Sequence, residues 1–132
     1  MTAHAEGTFT VQSWDESTYQ ELDGKAKLTR AKVAFAYTGD LQAESAAESL
    51  MCYREDGTAV YTGLDRVAGQ LGGRSGSFVL RADGAYADGE ARTTWHVIDG
   101  SGTGELTGLR GSGLAVAAAG PGGTFTLDYE LG

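Results

Sequence analysis

Residues Thr58–Arg81 read TAVYTGLDRVAGQLGGRSGSFVLR. Runs containing Val, Tyr, Leu and Phe flank Gly72-Gly73, and a glycine pair there lets both turn residues take positive φ, as a two-residue β-hairpin requires. The stretch is therefore read as two long strands folded back on each other. Gly63, Gly69 and Gly76 interrupt the arms, where glycine suits a bulge, a bend or a close approach of backbones. Long bent strands in an open sheet leave exposed edges, and closure into a barrel removes them. The rest of the chain has then to supply the other strands.

Upstream, Ala5–Trp14 sets Phe9, Val11 and Ser13 against Thr8, Thr10 and Gln12, the period of a strand with unlike faces. Asp15–Gly24 is polar and ends in Asp-Gly, which predicts a loop over one barrel end. Lys25–Thr38 alternates again, with Val33, Phe35 and Tyr37 opposite Arg30 and Lys32, and Gly39-Asp40 turns the chain. Leu41–Arg54 is ambiguous. Ala43, Ala46, Ala47, Leu50 and Met51 fall at helical spacing, and alanine is the best helix former. Against a helix stand the Asp56-Gly57 hairpin signal that follows and the need of the first hairpin arm for a neighbour. The segment is read as a strand.

Downstream, Ala82–Gly89 contains Ala-Asp-Gly twice, two turn signals flanking Tyr86. Glu90–Asp99 alternates Thr93, Trp95 and Val97 against Arg92, Thr94 and His96. Gly100–Gly113 is too glycine-rich for a long strand. Leu106 and Leu109 within it are three apart, so one helical turn would point both at the core and plug an end. Leu114–Ala119 and Gly123–Leu131 read as the last strands, separated by Gly-Pro-Gly-Gly, with Phe125, Leu127 and Tyr129 on one face. Eight strands result, and the expected fold is an all-β, closed eight-stranded antiparallel barrel, just wide enough to be filled or to hold one small ligand.

Composition agrees with one domain spanning residues 1–132, large enough to bury a core unaided. Glycine, at 21 residues, is about twice its ordinary usage while proline occurs once, and the glycines sit in turn pairs or patterned strands, which favours all-β over disorder. Cys52 is the only cysteine, so no disulfide can form within the chain and no thiolate zinc cage is available. The start, MTAHAEGTF, lacks a basic segment followed by an apolar run, and no ~18-residue apolar stretch occurs. The expected setting is cytoplasmic and reducing. A net charge of −8 with scattered Lys and Arg opposes binding to nucleic acid or to anionic membranes.

The SWDE at Ser13–Glu16, LTRA at Leu28–Ala31, GLDRVAGQLGGRSGSFVL at Gly63–Leu80, GSGTGELTGLRGSG at Gly100–Gly113 and the terminal FTLDYEL together resemble the bacterial family of uncharacterised function known as DUF3224. The resemblance covers nearly the whole chain. It implies a fold similar to the allene oxide cyclase barrel, shared with dirigent proteins and several bacterial polyketide cyclases, and it implies no established reaction. Fold does not fix function, so that kinship points only toward a lumen that shapes a reactive small molecule.

Candidate chemistry is sparse. In a strand, Glu44 and Glu48 face the same way but lie ~13 Å apart at ~3.3 Å per residue, too far for a two-carboxylate dyad spanning ~5 to 9.5 Å. Either can still be a single lumen acid or part of a solvated face. Cys52 shares their parity and reads as a packed small residue rather than a nucleophile. Trp95 and His96 must point to opposite faces, and Trp95 is the inward choice. Asp65 and Arg66 are likewise opposed, so one of them is a buried charge needing a partner.

Gly73–Ser77 lacks the second glycine of a nucleophile elbow, and Gly100–Gly104 lacks the third of a dinucleotide loop. Two histidines supply no metal site, and neither a metal nor a cofactor is expected. The candidate site therefore comprises Glu48 and Asp65 as acid–base groups, with Tyr37, Tyr61, Phe78, Trp95 and Tyr129 as ring contacts. The expected function is a cofactor-free barrel that binds an apolar, polyketide-like small molecule and promotes its cyclisation or isomerisation. The alternative is a non-catalytic binding or structural barrel with a filled interior, and a homo-oligomer stays open.

Overall fold

A computed structural model describes residues 2–118 and 122–131. Eight antiparallel strands close into a barrel in which each pairs with its sequence neighbours and the last returns to the first. They are β1 Ala3–Glu21, β2 Lys27–Gly39, β3 Leu41–Tyr53, β4 Ala59–Leu71, β5 Arg74–Ala87, β6 Glu90–Val97, β7 Leu109–Ala117 and β8 Gly122–Leu131, with one 3₁₀ turn at Gly104–Leu106 between β6 and β7.

The central hairpin turns at Gly72 and Gly73, whose φ values of 57° and 81° are those a tight primed turn demands. Its register runs unbroken from Leu71↔Arg74 to Ala59↔Tyr86, so Gly63, Gly69 and Gly76 are not bulges. They are sites of close approach. A Cβ on Gly63 would run into the Glu48 carbonyl oxygen, one on Gly69 into that of Gln42, and one on Gly76 into that of Thr103.

β3 is a strand along its whole length because both edges are paired, with β2 and with β4. The alanine periodicity that favoured a helix has another use here. Ala43, Ser45, Ala47 and Ser49 alternate onto the inner face, and their small side chains leave space inside the barrel.

Four local expectations are corrected. Asp15–Gly24 is not a loop over the barrel end: β1 continues to Glu21 on β2, and only the short Leu22–Ala26 segment turns. Register shifts between Val11 and Ser13 and between Thr18 and Gln20 mark bulges in β1. The first reverses the alternation, so Trp14 and not Ser13 follows Val11 on the inner face. Asp83-Gly84 does not turn the chain, since β5 runs through it to Ala87 and turns only at Asp88-Gly89. β7 starts at Leu109 inside the glycine-rich segment, because Gly111 and Gly113 lie where the β8 backbone comes too close for a side chain. Ala119, the end of the expected seventh strand, and Gly120 and Pro121 of the expected last turn lie outside the described residues.

The β1–β2, β3–β4, β5–β6 and β7–β8 connections all fall at one end of such a meander, and the others fall at the opposite end. That opposite end is filled. Leu41, Val67, Leu71, Phe78, Leu80 and Leu127 pack there with Leu106 and Leu109, both 1% exposed. Both leucines reach the core as expected, but only Leu106 lies in the 3₁₀ turn, while Leu109 is the first residue of β7. The connector that carries the turn lies along the edge of β5 that β6 leaves free, where Thr103 N–H donates to the Ser77 carbonyl at 2.8 Å and Val79 N–H donates to Ser101 Oγ at 3.0 Å. No helix among the described residues is long and apolar enough to cross a membrane.

Candidate functional site

The other half of the barrel is not filled. A cavity of ≈ 450 Å³ lies within it. Phe9, Phe35, Tyr37 and Trp95 line its lower part, toward the filled end, and Trp14, Tyr53, Tyr61 and Tyr86 line its upper part, toward the β1–β2, β3–β4 and β5–β6 turns. Space exists because the remaining inward positions are small, among them Ala47, Ser49, Ala59, Gly63, Ala82, Thr93 and Ala115. The lower rings brace one another. Tyr37 meets Trp95 edge-on at 5.8 Å and Phe125 at 5.7 Å, while Trp95 stacks on Phe125 at 5.6 Å. Such pairs fix ring orientation as well as burying area.

Among the described residues, Asp65 is the only Asp, Glu, Lys, Arg or His of the lining, and it is 4% exposed. β4 alternation turns it inward and sends Arg66 out, which answers the question the sequence left open between them. Its Oδ2 accepts a hydrogen bond from the Tyr37 hydroxyl at 2.8 Å. Its Oδ1 and the neighbouring Ser45 Oγ, both buried, have no hydrogen-bond partner. Burial pushes the Asp65 carboxyl above the usual carboxylate range, and Ser45 and the Tyr37 bond only partly oppose this. Ser45 polarises the site from β3 without geometry good enough to satisfy either atom. Burial, and then the Asp65 charge, push the Tyr37 hydroxyl well above its ordinary range.

A second polar group stands four residues from Asp65 on the same strand, reaching across to β6. The Tyr61 and Thr93 hydroxyls are 2.7 Å apart, and the Tyr61 ring lies across Gly84, where a Cβ would come within 2.5 Å of it. A third lies beside the upper wall. Glu16 accepts hydrogen bonds from Trp14 Nε1 at 2.9 Å, Thr29 Oγ1 at 2.6 Å and Tyr53 OH at 2.7 Å. Partial burial works against its charge, but these bonds and nearby Lys27 prevail and hold its carboxyl below the usual range. Tyr53, for its part, is pushed up to about 12 by burial and by Glu16.

The structure brings Tyr37, Tyr61, Asp65 and Trp95 together around the cavity, and leaves three sequence-derived candidates outside it. Glu48 faces outward, with its Oε1 2.8 Å from Arg30 Nη2 and both side chains about half exposed. That contact and the Arg30 charge hold its carboxyl low. Phe78 is inward but belongs to the filled end, and Tyr129 packs near Gly72, also at that end. His96 and Cys52 share the outward register with Glu48 and do not line the cavity. Trp14, Glu16 and Ser45 were not anticipated. The first two are in the SWDE stretch, but only the β1 bulge turns them inward. Among the described residues, no group of three or more His, Cys, Asp or Glu side chains comes together as metal ligands would.

Comparison with known proteins adds a family and no reaction. No curated protein matches the chain. A crystal structure of a protein of unknown function from the DUF3224 family of Shewanella oneidensis MR-1 superimposes with a TM-score of 0.85 at 29% identity, covering 100% of this chain and 99% of that one. The family model for DUF3224, proteins of unknown function, matches residues 5–129. With the match extending across all eight strands, the chain belongs to the DUF3224 family.

Proposed function

We propose that this barrel binds an apolar small molecule in its lumen and acts on it as a cofactor-free cyclase or isomerase. One observation carries the reading: a single buried carboxylate, Asp65, on the wall of an otherwise apolar and ring-lined cavity of ≈ 450 Å³. Ligand sites characteristically combine such a lining with a few placed polar groups, at volumes of roughly 300–1,000 Å³. The cavity disfavours the alternative of an interior wholly filled by side chains.

The chemistry follows from the one acid–base group. As a carboxylate, Asp65 takes a proton from a carbon next to a carbonyl, and the C–H electrons pass into the new enolate. The enolate carbon then attacks a second carbonyl of the same folded chain, a C–C bond forms, and the alkoxide recovers the proton from Asp65. Atoms and electrons balance without an oxidant or reductant, and a polyketide-like skeleton supplies both carbonyls. Burial matches the Asp65 pKa to this role better than that of an exposed aspartate, because a useful base and acid titrates near the working pH. The rings restrict the substrate to folded conformers, and the proximity so gained replaces entropy lost in the uncatalysed reaction.

The binding half of the reading is tested with the neutral fluorescent probe N-phenylnaphthylamine. The wild type is expected to bind it. Ala47→Phe, which places a ring in the cavity, is expected to weaken binding about tenfold or more, and Tyr19→Ala on the outer surface to leave it unchanged. Binding undiminished by Ala47→Phe would place the probe elsewhere and sink the lumen site. The catalytic half is tested by NMR of deuterium exchange at the central carbon of phenylbutanedione. Acceleration by the wild type and its loss in Asp65→Asn support the acid–base role, and equal rates in the two proteins refute it.

A further inference from the structure

We infer that the ligand of this lumen carries a protonated amine, held against Asp65 by charge and against the surrounding rings by cation–π contact. The inference rests on the lumen-binding reading above and narrows its ligand class: the skeleton is apolar and the head is cationic.

Three observations point the same way. First, Asp65 is buried without a cation. Its polar neighbours are Tyr37 from β2 and Ser45 from β3, Tyr61 and Trp95 line the same cavity, and among the described residues no Lys, Arg or His lines it. A buried carboxylate is paired, coordinated or neutralised by protonation, and the described lining supplies no cation to pair with it, which leaves that place to a ligand. Second, the wall facing that carboxylate is aromatic. Ring faces carry negative potential, and a carboxylate set among rings is the constellation that recognises ammonium heads. The protein already makes this contact once, since Lys27 Nζ lies 5.2 Å from the centre of the Tyr53 ring, which lines the cavity. Third, the net charge of −8 draws cations and repels anions before any contact forms. An anionic head would enter against that field and meet a carboxylate at the floor. A neutral head gains nothing from that field.

The pH dependence has a definite sign. Tyr37, Tyr53 and Tyr61, the other titratable groups of the lining near this path, all ionise above the working range, raised by burial. Glu16 beside the upper wall is held in its charged form by three donors. Asp65 is the lining carboxyl that burial shifts upward, so acid neutralises it more readily than an exposed aspartate. An alkylamine stays protonated throughout, so its affinity falls as acid neutralises Asp65. A ligand that instead accepts a hydrogen bond from protonated Asp65 gains affinity on acidification.

The experiment compares phenylbutylamine, phenylbutanol and phenylbutyrate as competitors of N-phenylnaphthylamine. They share a skeleton and differ in the charge of the head. The amine is expected to bind about tenfold or more tightly than the alcohol, a difference of about 1.4 kcal/mol, and the carboxylate most weakly. The preference for amine over alcohol should shrink toward unity in Asp65→Asn and, in the wild type, as the pH is lowered. The wild-type series and its pH arm decide the matter even where the variant does not fold. An alcohol that binds as well as the amine, a carboxylate that binds best, or an amine affinity that rises in acid would each overturn the cationic head while leaving the lumen reading intact. Absence of probe binding to the wild type overturns both.

Discussion

At the scale of single residues, two positions separate what holds the barrel together from what holds its cavity open. Asp65 is the first. Its carboxyl ionises less readily in the folded chain than in the unfolded one, because burial disfavours the charge. A raised folded-state pKa means that its contribution to stability is fully present below about pH 4, the unfolded value, and is lost as pH rises through the folded value. Stability measured by denaturant should therefore fall, through this group, as pH rises from about 4 toward neutral. Asp65→Asn should flatten that fall, gaining on the wild type as pH rises, and an unchanged pH profile would contradict the account. Gly84 is the second. Gly84→Ala places a methyl where the Tyr61 ring lies. The ring must leave the wall and the 2.7 Å contact with Thr93 breaks. The expected cost is about 1–3 kcal/mol, accompanied by loss of probe binding. A crystal structure of the variant with Tyr61 unmoved would refute it.

The connector between β6 and β7 decides the matter at the scale of elements. β6 pairs with β5 only over Leu80–Ala87, so the Ser75–Val79 edge of β5 needs another partner. The segment around Thr103 supplies it through backbone and side-chain hydrogen bonds, including Ser77 N–H to Thr103 Oγ1 at 3.1 Å. The same segment seats Leu106 in the closed end. Leu106→Ala is expected to cost about 2–5 kcal/mol, and Gly76→Ala about 2 kcal/mol or more because its methyl meets backbone that cannot swing aside. Both should leave probe affinity unchanged, since neither residue lines the cavity. Thermal melts and probe titrations on the same samples check this division. A parallel loss of stability and binding would show that the two ends are not independent. The expectation of a helical turn here was legible from the three-residue spacing of Leu106 and Leu109. The edge it covers was not, because that depends on where β6 stops.

For the whole molecule, closure is the distinctive event. Seven of the eight pairings join consecutive strands, and only β1–β8 joins the ends of the chain, as in Ala5↔Leu127. Loop-closure entropy predicts that this seam is the last pairing to form. Leu127→Ala, removing a side chain that is fully buried there, is expected to cost about 2–5 kcal/mol. Most of the loss should fall on a faster unfolding rate, with folding little changed. A chevron plot in which folding slows instead would place the seam in the transition state. The sequence by itself determined most of the strand alternation and the Gly72-Gly73 turn, since these rest on local pattern and on φ, which neighbours along the chain decide. The count of eight also needed a partner for the first hairpin arm, because the local pattern of Leu41–Arg54 suits a helix as well. The sequence determined that either Asp65 or Arg66 is buried, but not which. Only the tertiary structure decided that Asp65 faces in and Glu48 out, that a bulge in β1 carries Trp14 and Glu16 to the inner face, and that Gly84 receives a ring instead of making a turn. The reason is physical: one inserted residue reverses every later side chain on a strand, and whether a small residue leaves a gap depends on what the facing strands bring to it.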